Sequence, residues 1–145
     1  MATPLKALTP DQRQMVRNSF DSLRDMSIPV ALLFYGKLFE IDPAARPLFH
    51  IDLALQSQKL MDMLGAIVES LEDFDGMKVR LAELGRQHAT YGVRHEQYET
   101  LTTALLWTLA QALGKDFDPP TRDAWKTALA AVSQAMAAGT LQKGG

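Results

Sequence analysis

The sequence predicts an all-helical protein. Apolar residues recur three and four apart in one segment after another, the spacing of a single buried helix face. Nowhere does a β-branched stretch alternate with polar residues long enough to make a strand. The prolines and the pairs Asp42-Pro43, Asp75-Gly76 and Asp118-Pro119 fall at the ends of the periodic segments rather than in their middles.

Each element has its own justification. Thr9-Pro10-Asp11-Gln12 is a helix start: threonine caps, proline occupies the first turn, and Gln12 closes a capping box. That helix should run to about Leu23. Pro29 permits a second start, and the helix then carries Leu32, Tyr35 and Phe39 until Asp42-Pro43 stops it. Residues 46–52 read as a short irregular corner containing Phe49. A longer helix should span about 53–71, with Leu60, Met63, Leu64, Ile67, Val68 and Leu71 on one stripe. Asp75-Gly76 should break it. A further helix covers about 77–90, with Gly92 as its stop. Residues 96–113 are helical again and end at Gly114. Asp118-Pro119-Pro120 marks a turn and a restart, and the last helix should reach about Ala138. The expected organisation is one domain over 1–145, an ordered helical core at about 9–138 and a frayed tail at 139–145.

Composition narrows the function. A chain of 145 residues with 47% hydrophobic and 22% charged residues suits one globular domain with its own core. A net charge of −2 and a pI near 5.9 argue against nucleic acid as a partner, since that needs a cationic face. There is no cysteine, which removes disulfides, thiolate metal sites and thiol catalysis and suits a cytoplasmic setting. The start, MATPLKALTP, lacks the apolar core of a signal peptide, and no apolar run approaches a membrane span, so membrane insertion is not expected.

Three polar residues interrupt apolar stripes. His88 follows Leu84 by four and Leu81 by seven residues. Tyr35 lies between Leu32 and Phe39, and Gln56 precedes Leu60 and Met63 on their stripe. Each has an ordinary account: a core histidine bonded to a backbone carbonyl, a core tyrosine with its hydroxyl at the edge, a first-turn glutamine facing water. Together they have another. A shared apolar cavity holding haem wants one nitrogen ligand for iron and two donors towards a polarised diatomic ligand. Periodicity leaves both open.

At these residues the chain resembles a globin. ALLFYGKLFEIDP, PLF, QSQKLMDMLG, LGRQHATYGV, HEQY and AW carry the resemblance, in matching order, over nearly the whole chain. It is most similar to single-domain bacterial globins of the Hell's Gate type and to the haem domain of flavohaemoglobins. The resemblance implies a globin fold, with helices packed three on three around a haem b pocket. It makes His88 the proximal iron ligand and Phe49 the aromatic wedge on the haem. Tyr35 and Gln56 become the distal tyrosine and glutamine, and Leu60 covers the ligand. Phe39, Leu84, Val93 and Leu101 line the macrocycle, with Met63 a lesser wall residue. Tyr98 lies beneath the proximal histidine, or packs in the core with Leu101, Leu105 and Leu109. Lys59 is the best candidate for a propionate partner, ahead of Arg86 and Arg94. His50 and His95 read as surface residues, Trp125 as core, and Met61 and Met136 as core gap-fillers.

The resemblance implies reversible binding of dioxygen, nitric oxide or carbon monoxide. Two donors imply slow oxygen release and suit nitric oxide detoxification. Two departures matter. No acidic residue follows Asp123, so a proximal histidine–tyrosine–glutamate relay lacks its acid. No glycine-rich dinucleotide fingerprint is present, so dioxygenase turnover would need a separate reductase. The competing readings are a gas sensor or interaction module without turnover, and a helical bundle without cofactor.

Overall fold

Thr9 begins the first helix as its pattern requires. Its hydroxyl accepts from the Gln12 amide at 3.1 Å, and Gln12 Oε1 accepts from the Thr9 amide at 2.8 Å. The computed structural model describes residues 4–48, 52–90 and 97–143, excepting the side chains of 48, 53, 88–90 and 139–143. Helix α1 is Pro10–Leu23 and buries Val16, Phe20 and Leu23. A single tight turn, Arg24–Met26, leads directly into α2, Ser27–Ile41. Pro29 therefore sits within the first turn of α2, where its missing N–H has no intrahelical partner to lose.

Helix α2 corrects one expectation. Its buried residues are Val30, Ala31, Phe34 and Leu38, whereas Leu32 is 57% exposed. SIPVALLFYGKLF is apolar on nearly every face, so spacing alone did not select the inner one. Tyr35 and Phe39 lie along its edge, half-buried against the core. The corner after Asp42 is also more regular than expected, since Pro43–Leu48 forms a 3-10 helix.

Asp52 opens α3, Leu53–Glu72, by accepting from the Leu55 amide at 3.1 Å. The helix ends within a residue of its expected end, but the break is at Asp73 and not at the anticipated Asp75-Gly76. Asp73 is the reason: its carboxylate accepts from the Gly76 amide at 3.2 Å and so caps the next helix, α4, Phe74–Thr90. Gly76 lies inside the first turn of α4, where a glycine costs little. Helix α5 is Gln97–Leu113 and ends at Gly114, whose φ of 55° places it in the left-handed region. Asp118 then caps α6, Pro119–Lys143, by accepting from the Thr121 amide at 3.0 Å. The helix passes Ala138, its expected end, because Gly139 weakens a helix without breaking one.

The described residues contain no strand. Helix α4 lies against α6, α2 against α3 and α5, and α1 against both α3 and α6. Leu64, Leu71, Leu81, Leu109 and Trp125 are fully buried where these layers meet. The segment before α1 is stitched on by a backbone bond from Leu5 to the Leu71 carbonyl, 2.9 Å. Arg17 reaches Glu72 at 2.5 Å, fastening α1 to the end of α3. No described helix is long and apolar enough to cross a membrane.

Candidate functional site

Tyr35 and Gln56 meet. The tyrosine projects from α2 and the glutamine from the first turn of α3, and the Tyr35 hydroxyl donates to Gln56 Oε1 at 3.1 Å. The Gln56 side chain is buried, so it is not the water-facing first-turn residue that its position also allowed. Asp52 places it: the Gln56 amide bonds the Asp52 carbonyl at 2.9 Å, closing the first turn of α3. The Tyr35 ring is held edge-on to Phe34, centroids 5.0 Å apart, and lies 6.1 Å from the Phe39 ring. Burial pushes the Tyr35 hydroxyl up to about 12, so it is a neutral donor at any ordinary pH.

The apolar candidates belong to the core or pack against it. Leu60, one turn beyond Gln56, is buried, and so is Met61. Phe39, Met63, Leu84 and Leu101 are half-buried and pack against the core. They come from α2, α3, α4 and α5, so four helices contribute to that packing. Tyr98 is buried in the first turn of α5, and burial raises its hydroxyl pKa as well. Trp125 and Met136 are core residues, as expected.

The charged candidates separate. Lys59 is exposed on α3. Arg86 turns back along α4, its Nε bonding Glu83 at 3.0 Å. Arg46, which the pattern did not single out, lies 5.2 Å above the Phe39 ring. Gln97 was missed too: it is buried and donates to Asp42 Oδ2 at 3.1 Å, tying the end of α2 to the start of α5. Gln97 pairs with a segment 55 residues away, and Arg46 reaches Phe39 only because the chain folds back at the corner after α2; helical spacing encodes neither. Phe49, His50, Val93, Arg94 and His95 lie outside the described residues. The backbone of His88 is helical, one turn beyond Leu84, and its side chain lies outside what is described.

A tyrosine bonded to a buried glutamine, with the Phe34 and Phe39 rings beside it, suits a flat apolar group with a small polar ligand on one side. The profile of the globin family matches residues 32–136. The chain belongs to the globin family. Neuroglobin of Chaenocephalus aceratus is 27% identical over 154 aligned positions, covering 97% of each chain. Neuroglobin-2 of Oncorhynchus mykiss matches to the same identity and extent. A bacterial globin from Campylobacter jejuni superposes with a TM-score of 0.81 at 20% identity, covering 92% of this chain and 97% of that one. At that identity the likeness speaks for the fold, and the fold is the globin fold. Membership of the family implies haem and the binding of small diatomic gases. The Hell's Gate and flavohaemoglobin likeness is a finer assignment than these matches make.

Proposed function

We propose that this globin holds haem b between His88 and the Tyr35–Gln56 pair, retains dioxygen tightly, and detoxifies nitric oxide with electrons from a separate reductase. The observation that carries the reading is the Tyr35–Gln56 hydrogen bond, with the Phe34 and Phe39 rings beside the tyrosine. Haem, when bound, supplies a ferrous iron that takes diatomic gases and gives up one electron as nitric oxide and dioxygen become nitrate. The remainder is the work of this chain. His88 offers a neutral imidazole nitrogen one turn beyond Leu84. Tyr35 spends its proton on Gln56 Oε1, so the NH₂ end of that amide is the end turned elsewhere. Rotation of the phenol brings a second donor to the same side. Phe39, Leu60, Met63, Leu84 and Leu101 exclude water, with Phe49 and Val93 completing the lining and Tyr98 supporting the proximal side. Lys59 serves a propionate at the rim.

Each donor that strengthens on ligand binding contributes about 1–1.5 kcal/mol. Two of them slow oxygen release roughly 30–150-fold relative to a pocket with neither. The test is the oxygen off-rate of the reduced, haem-loaded protein, followed by carbon monoxide replacement. Tyr35→Phe and Gln56→Leu should each release oxygen faster, and the double variant fastest. A Tyr35→Phe protein with an unchanged off-rate refutes the distal assignment.

A further inference from the structure

Among the glycines of the described residues, Gly85 is the one where adding a methyl group would drive two helix backbones together. A Cβ built there would stand 1.9 Å from the Met136 carbonyl oxygen, 2.6 Å from its carbon and 2.9 Å from its Cα. All three atoms are main chain, so no side-chain rotation can relieve the clash. The glycine Cα–H in place of that methyl is aimed at the Met136 carbonyl, the geometry of a weak C–H···O contact. Glycine inside a helix is a conformational cost, and one that permits close backbone approach has a packing reason. Around the crossing, α4 contributes the fully buried Leu81, and α6 contributes Leu129, Val132 and Met136, all buried. The other glycine of α4, Gly76, faces the Asp73 carboxylate that caps the helix.

Three residues after Gly85, less than one turn along the same helix, comes His88. We propose that Gly85 is the positioning residue for His88: by letting the α4 and α6 backbones touch, it fixes where the histidine-bearing turn stands relative to the haem. This rests on the reading of His88 as the axial ligand. An alanine at 85 must separate the helices by roughly 1.4 Å to restore a carbon–oxygen contact of about 3.3 Å. A displacement near 1 Å at a coordinating group is functionally large, of order a hundredfold where geometry controls a rate.

The experiment uses haem-loaded protein. The native chain, Gly85→Ala, Gly85→Ala/Met136→Ala and Val16→Ala are compared by resonance Raman spectroscopy in the reduced, ligand-free form and by haem transfer to an apoglobin scavenger. Val16 is fully buried on α1, a helix that carries neither residue of the crossing, so it controls for general loss of stability. Gly85→Ala should shift the iron–histidine stretching band and speed haem transfer about tenfold or more. Val16→Ala should leave the band in place. In the double variant the shortened Met136 side chain lets α6 retreat instead of α4, so the band should return towards its native position. An unchanged band in Gly85→Ala, or an equal shift in Val16→Ala, overturns the proposal. Failure of both Gly85→Ala proteins to fold also overturns it, making the crossing a determinant of folding and not of iron geometry. A native protein that binds haem without any iron–histidine band removes the reading of His88 itself, which distinguishes that failure from the others.

Discussion

Tyr35 and Gln56 satisfy each other before any ligand arrives, and this has measurable consequences at the level of single side chains. The Tyr35 hydroxyl ionises near 12 in the native protein against 10 for a free phenol. Its contribution to stability is therefore full below pH 10 and is lost as pH rises from 10 to about 12, because the unfolded chain releases its proton first. The loss attributable to this group is at most about 2–3 kcal/mol. Urea midpoints measured across that window should fall more steeply for the native protein than for Tyr35→Phe. Removing the phenol hydroxyl leaves Gln56 Oε1 without the donor it has here. Tyr35→Phe and Gln56→Leu should then show a coupling energy of about 0.5–1.5 kcal/mol in a double-mutant cycle of unfolding. Both residues were visible in the sequence as polar interruptions of apolar stripes. Their direct bond was not, because it joins positions 21 apart through the angle between two helices. Leu32 shows the opposite limit: it has the right spacing but faces solvent, since almost every neighbour on α2 is apolar.

At the level of elements, the ends of the helices carry the clearest local signals. The capping box at Thr9 and the stop at Gly114 both stand where the sequence puts them. Gly114 has open space around it, so alanine there meets no atom and suffers only from the backbone angle. Gly114→Ala should cost about 1–2 kcal/mol, and Gly114→Asn less, by chemical denaturation. Thr9→Ala should cost about 1 kcal/mol through loss of the reciprocal cap. Where two signals compete, the sequence is ambiguous. Asp73, Asp75 and Gly76 are all breakers, and the structure uses Asp73 because its carboxylate can reach the Gly76 amide. The end of α6 is the weakest signal of all, since Gly139 follows an alanine-rich run and no proline comes after it to stop the helix.

At the level of the whole molecule, burial outweighs surface charge. Leu64 is fully buried between helices, and Leu64→Ala should cost about 2–5 kcal/mol. Glu72 accepts from Arg17 at 2.5 Å and lies 3.7 Å from Arg13, yet its side chain is 44% exposed. Glu72→Gln should cost less than about 1 kcal/mol, with the difference shrinking as salt is added. Thermal unfolding of the two variants at low and high salt compares them directly. The globin arrangement itself follows from which faces are apolar. The pairing of α1 with α6 follows from no local rule, because it joins helices far apart along the chain. That pairing imposes an order on synthesis. Val16, Phe20 and Leu23 of α1 are translated well before residue 119, where α6 begins. At about 5–20 residues per second, the interval is of the order of ten seconds. Throughout it α1 can pack on α3 but not on α6, and its apolar ridge is fully covered only when the last helix arrives.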